Sequence, residues 1–268
     1  MHRVLLLLLC SLPALAEIQV GPALPQAHAH NDYEHTRPLL DALSHGFTSV
    51  EADVYLVDGK LLVAHDRADL KPDRTLDTLY LDPLQNLARG KKSIFPTGET
   101  LTLLIDFKTE AQPTYEALRT LLTRYDEMLT RFESNRIHTN AVTIIISGNR
   151  PREILLGEKS RFAAFDGRLA DLGKKLSVSF MPLVSDNWNS HFTWKGVGEL
   201  PEDQREKLKS IVAQTHAENR RLRFWATPDT EPAWTELRHA GVDLINTDNL
   251  PGLANFLRKS SLSDAGSK

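Results

Sequence analysis

The sequence predicts a single (β/α)8 barrel, a closed parallel sheet wrapped by helices. Three observations lead there. The chain has 268 residues, 41% hydrophobic and 25% charged, which is enough to bury one barrel core. Short apolar runs of strand length recur along it, separated by longer stretches with helical spacing. No Gly-rich phosphate loop follows the first strand, which weighs against the runner-up, a doubly wound open sheet. The formal charge of -3, with Lys/Arg and Asp/Glu mixed throughout, leaves no basic block, so nucleic acid is not an expected partner.

Taken in order, residues 1–16 read as a secretory signal, with a charged start, the apolar run VLLLLLCSL and a small-residue cleavage site at Ala14 and Ala16. The run is too short for a stable bilayer anchor, so a secreted or periplasmic location is expected for a barrel of residues 17–268. A buried helix or an uncleaved anchor is the alternative. The sole cysteine, Cys10, falls inside this segment, which leaves the mature chain without a disulfide or thiolate metal site. Leu9 before it argues against a lipoprotein.

Strands are predicted at Gln26–His30, Thr48–Tyr55, Leu61–His65, Leu101–Phe107, Val142–Ser147, Arg161–Phe165, Ser177–Val184, Arg223–Ala226 and Val242–Asn246. The spacing of Leu118, Leu121, Leu122, Tyr125, Met128 and Leu129 predicts a helix over Thr114–Phe132. Leu208, Ile211 and Val212 do the same over Glu202–His216. Asp166 to Arg168 and Ser185 to Asn189 are expected as loops over the barrel mouth.

The polar residues gather at the ends of the early strands. The first runs into HAHNDYEH, residues 28 to 35. In SVEADVYL, Glu51 and Asp53 are two apart and share one strand face. Two carboxylates side by side repel and are costly to desolvate, so a strand that keeps them there is expected to hold a cation between them. LLVAHD ends in His65 and Asp66, and LTLLIDFK ends in Asp106 and Lys108, again two apart. Four successive strands ending this way are hard to read as four independent helix caps, and barrel enzymes place their chemistry at that end.

In this order, AHND, HGFTSVEADVYLVDGKLLVAHD, LLIDFK and RFWATPD…GVDLINTD, the chain resembles the superfamily of glycerophosphodiester phosphodiesterases and phosphatidylinositol-specific phospholipase C-like enzymes, which are TIM barrels. HAHNDY and FWATPD…NTD are most similar to its altered-inheritance-of-mitochondria protein branch. The resemblance implies that His30 and His65 are catalytic and that Glu51 and Asp53 bind metal. It places Asp106 where most of these diesterases have a third metal-binding Glu, and Lys108 on the Lys that follows. An Asp with Lys two later is similar to the venom sphingomyelinase D pattern. HND stands here for the diesterase HRG, and HTRP for its PENT segment, so the contacts that select glycerol do not carry over.

The residue types make the same chemical sense. A hard cation, Mg2+ or Ca2+, on Glu51, Asp53 and Asp106 would offset the charge that grows on a phosphodiester's oxygens, with Lys108 on the same phosphate. His30 and His65 would form an acid/base pair. Weaker expectations place Asn31 on the cation or in a loop cap, Arg37 on phosphate, Trp225 as a substrate wall and Asp248 as a polar contact. The expected function is a secreted divalent-metal-dependent phosphodiesterase acting on a glycerophosphodiester or phospholipid-type substrate, small molecule or lipid head group, with no stable membrane anchor. Two alternatives stay open: a zinc-dependent amidohydrolase-like or phosphoesterase barrel using His28 and His30, and a non-catalytic barrel that binds a head group.

Overall fold

The computed structural model describes residues 18–134 and 136–266; the signal-like start with Cys10 lies outside the described residues. The chain begins with β1 (Leu24–Ala29), α1 (Leu40–Ser44), β2 (Phe47–Val57), β3 (Lys60–Val63), α2 (Asp82–Ala88), β4 (Leu101–Phe107) and α3 (Ala111–Leu122). It continues through β5 (Arg131–Glu133), β6 (Arg136–His138), β7 (Val142–Gly148), α4 (Arg152–Gly157), β8 (Ser160–Arg161), β9 (Ala163–Gly167), β10 (Leu183–Asn187) and α5 (Trp188–His191). The last elements are α6 (Glu202–Ala217), β11 (Arg221–Trp225), α7 (Glu231–Ala240), β12 (Ile245–Thr247) and α8 (Leu250–Gly266).

Eight parallel strands stand side by side in the order β11-β10-β9-β7-β4-β2-β1-β12. A single parallel bridge between Arg223 and Leu244 links the two outer strands, so the (β/α)8 barrel is nearly closed. β4 and β7 read as continuous apolar runs because both faces are covered, one by helices and the other by the barrel interior. The registers Glu51 with Leu104 and Asp53 with Asp106 on β2 and β4, then Leu104 with Ile145 and Asp106 with Ser147 on β4 and β7, sort the interior into layers. Leu104, Ile145, Leu183 and Leu244 form an apolar plug. Polar layers sit above it, toward the C-terminal ends of the strands. Val50, Ala52 and Val54 take the opposite face of β2 and join the core under the helices.

Several expectations need correction. Leu61–His65 is not a barrel strand: β3 runs antiparallel to the overhanging end of β2, with Val54 opposite Val63. Asp58 and Gly59, both at positive φ (47° and 77°), form the tight turn that a two-residue hairpin requires. His65 therefore reaches the mouth from a hairpin arm. The helix expected over Thr114–Phe132 ends at Leu122, because a 3-10 turn at Thr123–Tyr125 follows and Phe132 enters a small antiparallel sheet of β5, β6 and β8. The strand expected from Ser177 starts only at Leu183, since Phe180 and Met181 donate backbone N–H back to Ser177 in a turn. Asp166 and Gly167 belong to β9 and Ser185 to Asn187 to β10, not to loops. Among the described residues no helix is long and apolar enough to cross a membrane.

Candidate active site

A cleft of about 160 Å3 opens at the C-terminal mouth of the barrel. β2 and β4 supply its acidic floor, since their register sets Asp53 against Asp106 and puts Glu51 one layer deeper. Oxygens of Glu51, Asp53 and Asp106 lie within 4.8 Å of one another, so the set could hold a cation. All three are hard oxygen donors, which suits Mg2+ or Ca2+ better than zinc. β7 must leave room for this cluster: any side chain at Gly148, which stands at φ 66°, would collide with the Asp106 carboxylate.

Two cations partly neutralise these three carboxylates. Lys108 Nζ lies 3.0 Å from Asp53 and 3.1 Å from Asp106. Arg223, buried on β11, donates to Glu51 Oε2 at 2.8 Å and to Asn246 at 2.7 Å. Burial alone would raise the pKa of Glu51, but Arg223 and His28 outweigh it and hold the carboxyl below its usual range. Burial and the neighbouring Glu51 push Asp53 up to about 6. Burial also raises Asp106, against the pull of Lys108. Both raised values mark a cluster short of positive charge, the electrostatic condition under which a divalent cation fits it.

The histidines flank this floor. His30, one residue past β1, has Nδ1 2.9 Å from Asp248 Oδ1 and 3.0 Å from the Asn31 amide nitrogen; with a carboxylate as partner Nδ1 carries the hydrogen, which leaves Nε2 toward Glu51 at 3.9 Å. Burial would lower the pKa of His30, but Asp248 and Glu51 raise it overall. His65 sits on the other side with its Nδ1 3.0 Å from the Tyr33 phenol oxygen. That same oxygen is 2.6 Å from Asp53 and 2.7 Å from the Asn31 amide.

The structure thus brings together His30, Asn31, Glu51, Asp53, His65, Asp106, Lys108 and Trp225 around one cleft. Asp248 stands behind His30 instead of facing the cleft as a substrate contact. Arg37 is not brought in: its side chain is exposed and pairs with Asp41, four residues on, at 2.7 Å. The paired His28/His30 zinc site is also disfavoured. His28 is fully buried on Ser49, and burial together with Arg223 lowers its pKa to about 3. The guanidinium of Arg223 occupies the Glu51 oxygen that both histidines face.

Sequence reasoning missed four contributors. Arg223 was read only as the start of a strand, although RLRFW alternates, and its register opposite Ser185 points Arg221, Arg223 and Trp225 inward. Asp166 is wholly buried and accepts from Ser147, Ser185 and Arg168 at 2.8, 2.7 and 3.0 Å. Arg168 lines the cleft with its guanidinium 4.8 Å over the Trp225 ring. Tyr33 lay within HAHNDYEH, and its buried phenol between two candidate residues was the signal that spacing alone did not carry.

The AIM6-like phosphodiesterase domain model matches residues 18–166, more than half of the chain. Altered inheritance of mitochondria protein 6 of Eremothecium gossypii is 30% identical over 285 residues, which cover 88% of this chain and 70% of that protein. The chain belongs to the AIM6-like phosphodiesterase family. The protein of the same name from Saccharomyces cerevisiae is 30% identical over 271 residues, covering 83% of this chain and 68% of its own. A second match, to the glycerophosphoryl diester phosphodiesterase family, covers residues 221–251, the stretch with Arg223, Trp225 and Asp248. The AIM6-like chain shares its fold with the glycerophosphodiester phosphodiesterase of Agrobacterium tumefaciens (TM-score 0.51, 14% identity, 87% of this chain and 99% of that one). It shares it equally with one from Parabacteroides distasonis (TM-score 0.53, 15% identity, 90% and 100%). The expectation of a secreted or periplasmic location is corrected by these relatives, whose name refers to the inheritance of mitochondria and not to export.

Proposed function

We propose that the protein is a divalent-cation-dependent phosphodiesterase whose substrate is a glycerophosphodiester or phospholipid-type phosphodiester. The observation that carries this reading is the convergence of His30, His65, Glu51, Asp53, Asp106 and Lys108 on one small polar cleft at the barrel mouth. Glu51, Asp53 and Asp106 would hold Mg2+ or Ca2+, which when bound supplies positive charge to the phosphate's non-bridging oxygens. Lys108, already on Asp53 and Asp106, can meet a phosphate oxygen from the cleft wall. One histidine takes the proton of the attacking hydroxyl as its oxygen bonds to phosphorus. The other gives a proton to the leaving oxygen as its bond to phosphorus breaks. Water as the attacking group yields a monoester; a neighbouring substrate hydroxyl yields a cyclic phosphate.

The test is a panel of glycerophosphodiesters, phospholipids and bis(p-nitrophenyl) phosphate, each assayed with Mg2+, Ca2+ and chelator, with His65→Ala as the blank. Cation-dependent cleavage that falls about 10²- to 10⁴-fold in His65→Ala and His30→Ala is expected. Cleavage unchanged in either variant overturns the acid/base assignment. Substrate binding with no cleavage of any member favours a head-group-binding barrel.

A further inference from the structure

We infer that Tyr33 is a positioning residue that fixes the tautomer of His65, so that the imidazole presents Nε2, not Nδ1, to the substrate. The inference rests on the acid/base reading of His65 above. It starts from proton counting. The Tyr33 hydroxyl has one proton and three polar neighbours: Asp53 Oδ2 at 2.6 Å, Asn31 Oδ1 at 2.7 Å and His65 Nδ1 at 3.0 Å. The carboxylate and the amide oxygen can only accept, so whichever of them takes the phenol proton, Asp53 being the stronger acceptor, none is left for His65. His65 Nδ1 then faces a phenol oxygen with no proton left to give and, 3.6 Å away, the carboxylate of Asp53 itself. A bare Nδ1 there would set lone pair against lone pair. Nδ1 must carry the hydrogen and donate to Tyr33.

The consequence is chemical. A histidine with few restraints favours the Nε2–H form, which would turn a hydrogen toward the cleft and leave no base there. His65 has every reason to drift that way, because its side chain is 56% exposed and the Tyr33 phenol is the side-chain partner that holds its ring. Tyr33 itself cannot drift. It is 2% exposed, and its backbone carbonyl accepts from Arg74. The turn that carries it is anchored by the buried Asp32, which accepts from the Leu39 N–H at 2.5 Å and from the Tyr80 hydroxyl at 2.9 Å. The anchored member of the pair is therefore the buried tyrosine, and the member it orients is the exposed histidine. His30 meets the same requirement by other means, with Asp248 on its Nδ1. Each histidine thus has an anchor at Nδ1 and a free Nε2, which is the condition for the two rings to exchange acid and base roles.

Tyr33→Phe keeps the ring in its packed position and removes only the hydroxyl, and thermal unfolding checks that the fold survives. The first readout is the ring nitrogen spectrum of ¹⁵N-histidine-labelled protein without cation, above the pH at which the rings charge, with His65 signals assigned by their loss in His65→Gln. The parent is expected to show His65 protonated at Nδ1, and Tyr33→Phe to shift it toward Nε2–H. An Nε2–H ring in the parent, or an unchanged ring in Tyr33→Phe, overturns the inference. The second readout is turnover on a responsive phosphodiester, where kcat is expected to fall about 10- to 100-fold with KM within about threefold, less than the loss of the histidine itself. A tautomer switch with kcat unchanged overturns the catalytic consequence. A tautomer switch in a protein that cleaves no phosphodiester leaves the positioning intact and sinks the proposed function instead.

Discussion

The barrel mouth has two unlike halves. The arc of β1, β2 and β4, with its hairpin arm, presents reactive groups to the cleft: His30, Glu51, Asp53, His65, Asp106 and Lys108. The arc of β9, β10 and β11 presents Arg168 and Trp225 and, deeper, the buried pairs Asp166 with Arg168 and Glu51 with Arg223. One half carries the ionisable groups of the candidate site, and the other supplies counter-charge to the deepest of them, Glu51. Glu51 stays ionised at the bottom of the first arc because Arg223 of the second reaches across the barrel to it, whereas Lys108 serves Asp53 and Asp106 from within the first arc.

Removing that support is the sharpest way to break the comparison. Arg223→Met leaves Glu51 buried beside His28 without its guanidinium. Loss of one partner of a buried pair costs about 3–5 kcal/mol, which denaturant unfolding would read directly. Adding Glu51→Gln to the same chain is expected to recover most of the loss, because an amide needs no counter-charge. A single Arg223→Met protein as stable as the parent would mean that the second arc does not support the first.

A smaller effect tests the seam between the arcs. His28 is neutral in the fold, its pKa pulled from 6.5 to about 3 by burial and then by Arg223. A group whose folded pKa is depressed contributes stability that is fully present above its unfolded pKa and is lost as pH falls, here from about 6.5 toward 3. At pH 5 the loss is on the order of 2 kcal/mol, at about 1.4 kcal/mol per pH unit. His28→Gln is expected to lack this component. Comparing the change in unfolding free energy from pH 7 to 5 in the two proteins cancels the opposite contribution of His30, whose raised pKa favours the fold as pH falls. Equal pH dependence in both would show that His28 takes no part in the seam.

The same division explains what could be read before folding. Glu51/Asp53 and Asp106/Lys108 are legible because a strand places residues two apart on one face, and carboxylates on an apolar strand have few other uses. Nine short strand segments, most of them separated by helical stretches, made the barrel legible too, although the Asp58-Gly59 turn converted one expected strand into a hairpin arm. Arg223, Asp166 and Arg168 were not legible. Each owes its meaning to a partner on another strand, at separations of 172 residues for Arg223 with Glu51 and 19 for Asp166 with Ser147 and Ser185. Local pattern carries a residue's own face, and register across the barrel decides what that face meets.

Arg37 is the case in which a residue near the motif was assigned to the site and the fold sent it elsewhere. Only six positions separate it in sequence from Asn31 at the cleft, yet the intervening turn and the start of α1 carry it outward. Its side chain is 61% exposed, and its partner Asp41 sits four residues on in the first turn of α1, which makes a local ion pair at the surface. Such pairs contribute about 0.3–0.5 kcal/mol, and salt screens even that. Arg37→Ala is therefore expected to shift unfolding by no more than about 0.5 kcal/mol and to leave phosphodiester turnover within about twofold of the parent. A tenfold or greater loss of turnover at unchanged stability would return Arg37 to the phosphate, and would mean that the turn closes over the cleft when substrate is present.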